Sequence, residues 1–330
     1  EAANCTANNG GPFVEAGFYD TPGVANGVWG DGTYIYVADD TSGVRAYSFD
    51  GSTFTEEGSY NTIGRPYDVW GDGTYIYVAD GSTGVLAYTF NGSTFTEEGF
   101  YDTPGFALGV WGDGTYIYVA DNTSGVRAYS FDGSTFTEEG FYDTPDFANK
   151  VWGDGTYIYV ADNTSGVRAY TFDGTTFTEE GSYNTPSNAL GVWGDSNYIY
   201  IADSGSGVRA YSFDGTTFTE VGVFDTSSFV YEVWGDGTTI YIADYADGVR
   251  AYTFDGTTFT EEGSYNTPSN ALGVWGDGTY IYVADWTSGV RAYSGFECIS
   301  TDPNYDPGHL IAWDGVEHTE LKITASDGAA

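Results

Sequence analysis

The sequence predicts an all-β protein, a seven-bladed β-propeller built from four-stranded blades. The stretch VWGDGTYIYVAD recurs seven times, nearly letter for letter, with its tryptophans spaced 41 residues apart. Each repeat holds four short runs of aromatic and β-branched residues, separated by tight Gly and Asp turns. No run has the helical spacing of apolar residues. Four-stranded units that recur at a fixed period form the blades of a propeller.

The third repeat shows the four strands in order. VWGDG, from Val110, is a short apolar strand that ends in a Gly-Asp-Gly turn. TYIYVAD follows, with the composition of a strand buried on both faces. After a loop at 122–125 comes GVRAYSF. Asp132 and Gly133 then form a two-residue hairpin turn into STFTEEGFYDT, the fourth strand.

The two ends of the repeat array complement each other. FVEAGFYDTPG, from Phe13 to Gly23, is a fourth strand without its first three, and the seventh repeat breaks off at Gly295 after three strands. Phe13 matches Phe259 six periods later, so we expect the N-terminal strand to complete blade seven and close the ring. The predicted division is an N-terminal segment 1–12, the propeller 13–299 and a C-terminal tail 300–330.

The two cysteines, Cys5 and Cys298, both flank this predicted seam. A disulfide between them would link the ends of the ring and add up to about 5 kcal/mol through loop closure. Two unrelated buried thiols are the alternative. Because the chain has the features of an exported protein, we predict the disulfide.

The strand sequences resemble extracellular LVIVD-type repeats. The matching residues are YVAD, the following SGV, and GFYDTPGFA, which spans 99–107 and returns at 140–148 with Asp146 in place of Gly. The family's aliphatic-Asp strand reads VRAYSFD here, and NHL-type propellers are similar in strand order. The resemblance implies a propeller fold and a secreted or cell-surface location.

The composition limits which classes of binding partner are compatible with the protein. The formal net charge is −39, from 48 acidic and 9 basic residues, which disfavours nucleic acid and anionic membranes. Either the protein works in a saline or extracellular setting, or its surface binds cations; the even spread of acids favours the former. The sequence begins with Glu and shows no signal peptide or membrane-length apolar span, as expected of a processed, secreted chain. Four asparagines fit the short N-glycosylation pattern: Asn4, Asn91, Asn122 and Asn163.

One face of the ring is predicted to carry the function. The hairpins between strands one and two and between three and four hardly vary, whereas the other two connections vary strongly and emerge on the opposite side. We call this opposite side the variable face. Its distinctive residues form our candidate ligand or partner surface: Arg65, Tyr67, Phe106, Phe147, Lys150, Phe229, Tyr231, Tyr245 and Trp286. Aromatic and polar groups of this kind suit carbohydrate or protein contacts, unless the rings fold down and plug the channel.

Catalysis and cofactors have little support. The two histidines, His309 and His318, lie in the tail, so the ring can form neither a His-based triad nor a histidine metal cluster. The recurrent arginines are expected to pair with carboxylates, and the tryptophans to pack between blades. The repeated Asp turns offer one carboxylate each, fewer than the six to eight oxygens that Ca²⁺ takes. We predict no enzyme, no cofactor and no metal, with calcium as the alternative.

The tail, 300–330, contains two β-like runs with apolar residues that need a cover: Leu310, Ile311, Trp313, Leu321 and Ile323. We expect it to dock on a second copy and drive filament assembly; folding back on its own ring and a truncated further domain are the alternatives. The sequence thus predicts a non-catalytic extracellular or surface propeller with a structural, adhesive or self-assembly role. A glycan-binding lectin is the alternative, and a calcium-binding surface protein comes third.

Overall fold

The computed structural model describes residues 13–294, and these form seven four-stranded antiparallel sheets. The predicted seven-bladed propeller is confirmed. Each blade is a meander of consecutive strands, and the first strands of neighbouring blades pack side by side around the ring. A single 3-10 turn, Asp40–Ser42, interrupts the all-β pattern of the described residues.

The strands are as follows. Blade one holds β2 Ala25–Gly30, β3 Ile35–Asp39, β4 Val44–Phe49 and β5 Phe54–Tyr60; blade two holds β6 Asp68–Gly71, β7 Ile76–Ala79, β8 Val85–Phe90 and β9 Phe95–Tyr101. Blade three holds β10 Gly109–Gly112, β11 Ile117–Ala120, β12 Val126–Phe131 and β13 Phe136–Tyr142; blade four holds β14 Lys150–Gly153, β15 Ile158–Ala161, β16 Val167–Phe172 and β17 Phe177–Tyr183. Blade five holds β18 Gly191–Gly194, β19 Ile199–Ala202, β20 Val208–Phe213 and β21 Phe218–Phe224; blade six holds β22 Glu232–Gly235, β23 Ile240–Ala243, β24 Val249–Phe254 and β25 Phe259–Tyr265. Blade seven holds β26 Gly273–Gly276, β27 Tyr280–Ala284, β28 Val290–Ser294 and, from the start of the chain, β1 Val14–Tyr19.

The N-terminal strand closes the ring as predicted. β1 pairs antiparallel with β28, from Val14 opposite Ser294 to Tyr19 opposite Val290. Phe13 is 2% exposed and lies within 6.2 Å of the ring centres of Tyr241 in blade six and Tyr293 in blade seven. The first strand therefore supplies both backbone pairing and core packing to the last blade.

The core lies between blades, and the recurrent tryptophan explains why. Trp70 stacks on Tyr77 of its own blade, with the ring centres 5.9 Å apart, and its far edge covers Gly112 of the next blade. A Cβ atom at Gly112 would sit 2.7 Å from Trp70 Cζ3, and the same close approach recurs at all seven junctions. The Trp-Gly pair thus acts as an interblade wedge, in agreement with the predicted packing role of the tryptophans.

Several predictions concern residues outside the described range 13–294. These are the Cys5–Cys298 disulfide, the sequon at Asn4, and the division into segments 1–12 and 300–330 with the assembly tail. They stay predictions. Within the described range, no helix is long and apolar enough to cross a membrane.

Candidate functional site

On the side of the ring opposite the variable face, the aspartates of the hairpin turns between strands one and two stabilise those turns. Asp31 Oδ1 accepts hydrogen bonds from the backbone N–H groups of Thr33 and Tyr34 at 2.8 and 2.7 Å, and Oδ2 accepts one from the Tyr36 hydroxyl at 2.8 Å. The Oδ1 bonds recur at the equivalent turns of the other blades. Turn formation therefore accounts for these aspartates. Within residues 13–294 no group of three or more His, Cys, Asp or Glu side chains is placed to hold a metal ion.

The recurrent arginines pair with carboxylates, as predicted. Arg127 Nε lies 3.0 Å from Asp121 Oδ2, and its NH1 lies 2.9 Å from Glu138 Oε2. Five other blades repeat this double ion pair. Burial raises the pKa of Asp121 despite the guanidinium. These arginines hold strands of one blade together and leave no guanidinium free for a ligand.

Blade two departs from this pattern because Leu86 replaces the arginine. Its aspartate, Asp80, is fully buried and accepts hydrogen bonds from the Thr62 hydroxyl at 2.6 Å and the Gly64 N–H at 2.8 Å. Burial raises the pKa of Asp80. Here the aspartate ties the loop that precedes β6 to the loop that follows β7, without an ion pair.

Backbone hydrogen bonds join the two variable connections at blade junctions. In blade three, Asn122 and Ala148 exchange two backbone hydrogen bonds of 3.1 Å, which join the loop after β11 to the loop before β14. Isolated bridges join the two variable loops at five further blade junctions. Phe147 lies on the variable face and is 44% exposed.

One loop position on this face always adopts a left-handed backbone, with φ between 26° and 55°. Its occupants are Asp40, Gly81, Asn122, Asn163, Ser204, Tyr245 and Trp286. Glycine and short polar residues tolerate this conformation, but a bulky side chain there is an outlier. Blades six and seven therefore carry strained aromatic residues where the other blades carry tolerant ones.

Tyr245 of blade six and two aromatic residues of the loop between blades five and six lie together on the variable face. Tyr231 stacks on Tyr245 with ring centres 5.1 Å apart, and Phe229 meets Tyr245 at 6.3 Å. Phe229 is 52% exposed, and Trp286, at the equivalent position of the adjacent blade seven, is 39% exposed. We call Phe229, Tyr231, Tyr245 and Trp286 the aromatic patch. The structure thus brings Phe229, Tyr231 and Tyr245 into contact, and it places Trp286 at the equivalent loop position of the next blade.

Lys150 has a different surrounding from that of a free surface lysine. It starts the innermost strand β14, and its Nζ lies 2.8 Å from Asp68 Oδ1 and 2.9 Å from Glu232 Oε1. Its side chain is 17% exposed. Burial raises the pKa of Glu232 to about 7; burial opposes the charged form of Lys150, but the two carboxylates raise its pKa. Lys150 therefore bridges blades two, four and six, and we call the three residues the channel triad.

Sequence reasoning missed Asp68 as part of this cluster. The signal was present, because the residue before each VWG stretch alternates along the chain between glycine and a charged residue: Gly27, Asp68, Gly109, Lys150, Gly191, Glu232 and Gly273. A Cβ atom at Gly109 would lie 3.0 Å from the Cα of Lys150. The glycines are needed where neighbouring innermost strands approach closely, and the charged residues between them meet one another.

Arg65, Tyr67 and Phe106 line a cavity of about 590 Å³ on the variable face of blade two. Arg65 Nε lies 3.4 Å from Asp40 Oδ1, and its side chain is 65% exposed. The described sequon residues lie at turns: Asn122 and Asn163 take the left-handed position, and the Asn91 side chain accepts two backbone hydrogen bonds in its hairpin. Their glycosylation stays a prediction.

Comparison with known proteins identifies the repeat. The LVIVD repeat matches residues 22–44, 63–86, 104–126 and 268–290, whereas no curated protein sequence matches the chain. The fold is similar to that of streptogramin B lyase (12% identity, TM-score 0.68, covering 86% of this chain and 97% of that one). It is also similar to a chain of the mitotic checkpoint complex (13%, 0.67, 90% and 98%) and to a putative 6-phosphogluconolactonase from Bacteroides fragilis (16%, 0.64, 78% and 86%). At these identities the likeness concerns the fold alone.

Proposed function

We propose that this chain, a seven-bladed β-propeller with LVIVD repeats, is a non-catalytic extracellular or cell-surface binding protein with an adhesive or assembly role. Its partner lies on the variable face. The observation that carries the proposal is the left-handed backbone of Tyr245 and Trp286. A bulky residue in this conformation costs about 1–3 kcal/mol. Such strain is commonly retained where function uses the side chain.

Packing within the propeller explains the aromatic residues of the variable face less well than partner binding does. The rival explanation is that the aromatic residues plug the channel mouth. However, Lys150 already crosses the ring to Asp68 and Glu232. The rings of Phe229 and Trp286 remain substantially exposed. An exposed aromatic cluster with polar neighbours on a rigid scaffold is typical of a contact surface.

The buried ionisable groups support a non-catalytic role. Asp121 and its equivalents in the other arginine-bearing blades are held by guanidinium groups, and Glu232 is held by Lys150. Asp80 is held by a hydroxyl and a backbone N–H. Each of these carboxylates is thus engaged in holding the blades, rather than facing an open cleft as a general acid or base.

A glycan-binding lectin is the second candidate, favoured by the hydroxyl groups around the aromatic patch. The Ser227 hydroxyl bonds Asp247, and the Ser228 hydroxyl accepts the Ala246 N–H at 3.2 Å. Ser269 and Thr287 share a hydrogen bond of 2.9 Å on the loops of blade seven. Aromatic faces beside hydroxyl and carboxylate groups match the mixed apolar and polar surface of a sugar.

The test is to compare the full chain with the double variant Y245N/W286N, in which both positions take the residue of Asn122 and Asn163. Self-association is measured by sedimentation velocity, and the binding of uncharged glycans is measured on an array, both at moderate salt. We expect the wild-type chain to show at least one activity and the double variant to lose it. The control is F100S, which removes an exposed aromatic from an outer strand where other blades carry Ser182 and Ser264. Binding retained by the double variant, or neither activity in the wild type, would contradict the proposal.

A further inference from the structure

We propose a second binding site on the variable face, the blade-two cavity around Arg65, with an acidic sugar as its ligand. The cavity belongs to the loops of blades one to three and so is separate from the aromatic patch of blades six and seven. It stands independently of the partner proposed there.

Arg65 differs from the other arginines of the described chain because the terminal nitrogens of its guanidinium group have no partner among the described residues. Arg127 and its equivalents each bind two carboxylates and are largely buried. Arg65 contacts Asp40 through Nε alone, at 3.4 Å, and its two terminal nitrogens have no partner among the described residues. A guanidinium group with both terminal N–H groups available binds a carboxylate in a bidentate manner. The cavity therefore carries a specific carboxylate receptor.

The sequence of blade two fixes this receptor in place. Gly81 takes the left-handed loop position, and a Cβ atom there would lie 3.1 Å from Tyr67 Cε2, so glycine makes room for the Tyr67 ring. Asp80 anchors the same loop through Thr62 and Gly64. On the other side of Arg65, the Asn26 side chain donates a hydrogen bond of 3.0 Å to the carbonyl of Pro66. A loop held at both ends loses little freedom when a ligand binds.

The remaining lining groups match a sugar ring. The cavity has a volume of about 590 Å³, and its lining includes Thr41, Arg65, Tyr67, Ser82 and Phe106. This volume lies in the usual range for small-molecule sites. Ser82, Thr41 and Tyr67 have hydroxyl groups without a hydrogen-bond partner among the described residues. The rings of Tyr67 and Phe106 add flat apolar surfaces.

These groups together indicate the ligand class. A pyranose that carries one carboxylate offers an anion for Arg65, hydroxyls for the three free hydroxyl groups, and an apolar ring face for the aromatics. An acidic peptide side chain would fill the guanidinium fork and leave the hydroxyl groups unused. The chain's net charge of −39 repels polyanions. A singly charged sugar, such as a hexuronic acid, therefore fits the site better than a peptide or a charged polymer.

The experiment titrates the full chain with glucuronic acid and with glucose, observed by ligand NMR and calorimetry. The key variant is R65N, because Asn188 and Asn270 occupy the equivalent position in other blades, so the loop tolerates the change. We expect glucuronic acid to bind more tightly than glucose. The R65N change is expected to weaken glucuronic acid binding about 10- to 100-fold and to leave glucose binding unaltered.

The controls separate this site from the aromatic patch. Y245N/W286N should bind glucuronic acid like the wild-type chain, and R65K, which keeps the charge without the fork, should bind it weakly. The proposal is overturned if glucuronic acid does not bind at millimolar concentration, if glucose binds equally well, or if R65N binds like the wild type. A glutamate-containing peptide that binds more tightly than glucuronic acid would also overturn it.

Discussion

At the scale of single residues, a buried arginine that spans two carboxylates is the recurrent stabilising device. The contrast between blades two and three isolates it, because the strand and loop that follow are nearly identical: TFTEEGFYDTPGFA and TFTEEGFYDTPDFA. Arg127 binds Asp121 and Glu138 and lies 5.0 Å from the ring of Phe141. Blade two keeps the equivalent partners but has Leu86. The contacts of Arg127 in blade three therefore indicate which contacts an arginine at position 86 would make.

We predict that Leu86→Arg stabilises the protein by about 1 kcal/mol, because two charge-assisted hydrogen bonds to Asp80 and Glu97 outweigh the cost of burying the guanidinium. The matched reverse change, Arg127→Leu, should lower the free energy of unfolding by about 1–3 kcal/mol. Urea denaturation of both variants at neutral pH measures the two effects. A loss of stability in Leu86→Arg would show that Asp80 is already fully satisfied and would refute the account.

The sequence predicted the arginine pairs but not the channel triad, for a physical reason. Arg127 and its partners belong to adjacent strands of one blade, so strand pairing alone brings them together. Lys150 and its two partners belong to alternate blades. Their contact depends on how closely the innermost strands approach across the ring, which neither periodicity nor strand pairing reveals.

At the scale of elements, the innermost strand of each blade packs the indole ring of its tryptophan against a glycine of the next blade. Trp70 covers Gly112, and the stack with Tyr77 fixes the orientation of the indole. The sequence indicated the strands well, since aromatic alternation and Asp-Gly turns are local signals. The role of the glycine was missed, because Gly112 resembles an ordinary turn glycine until the neighbouring blade is placed beside it.

We predict that Gly112→Ala destabilises the protein by about 1–3 kcal/mol, since the new methyl group would overpack the junction against Trp70 Cζ3 at 2.7 Å and Cη2 at 2.9 Å. The control is Thr115→Ala, three residues further along, an exposed turn position whose side chain makes no hydrogen bond to the described residues and where the fifth blade carries Asn197. Thermal unfolding should show a lower midpoint for Gly112→Ala and little change for the control. Equal midpoints for Gly112→Ala and the wild type would disprove the wedge.

At the scale of the whole molecule, the repeats close a ring and divide it into two unlike faces. Ring closure was predictable because Phe13 keeps the 41-residue register of Phe259, and the structure confirms it through the pairing of β1 with β28. The variable face was predictable because hairpin turns alternate sides along a meander. The aromatic patch and the Arg65 cavity were foreseen as single residues but not as two groups, since grouping depends on side-chain contacts between loops.

The central claim is that the exposed aromatics serve binding and not folding, and the free energy of unfolding of Y245N/W286N tests it most directly. We predict a change within about 1 kcal/mol of the wild-type value, because relief of the left-handed strain offsets the lost ring contacts. Aromatic residues that seal the ring as part of its core would instead cost about 3–5 kcal/mol each when truncated. A loss of that size in urea denaturation would contradict the claim.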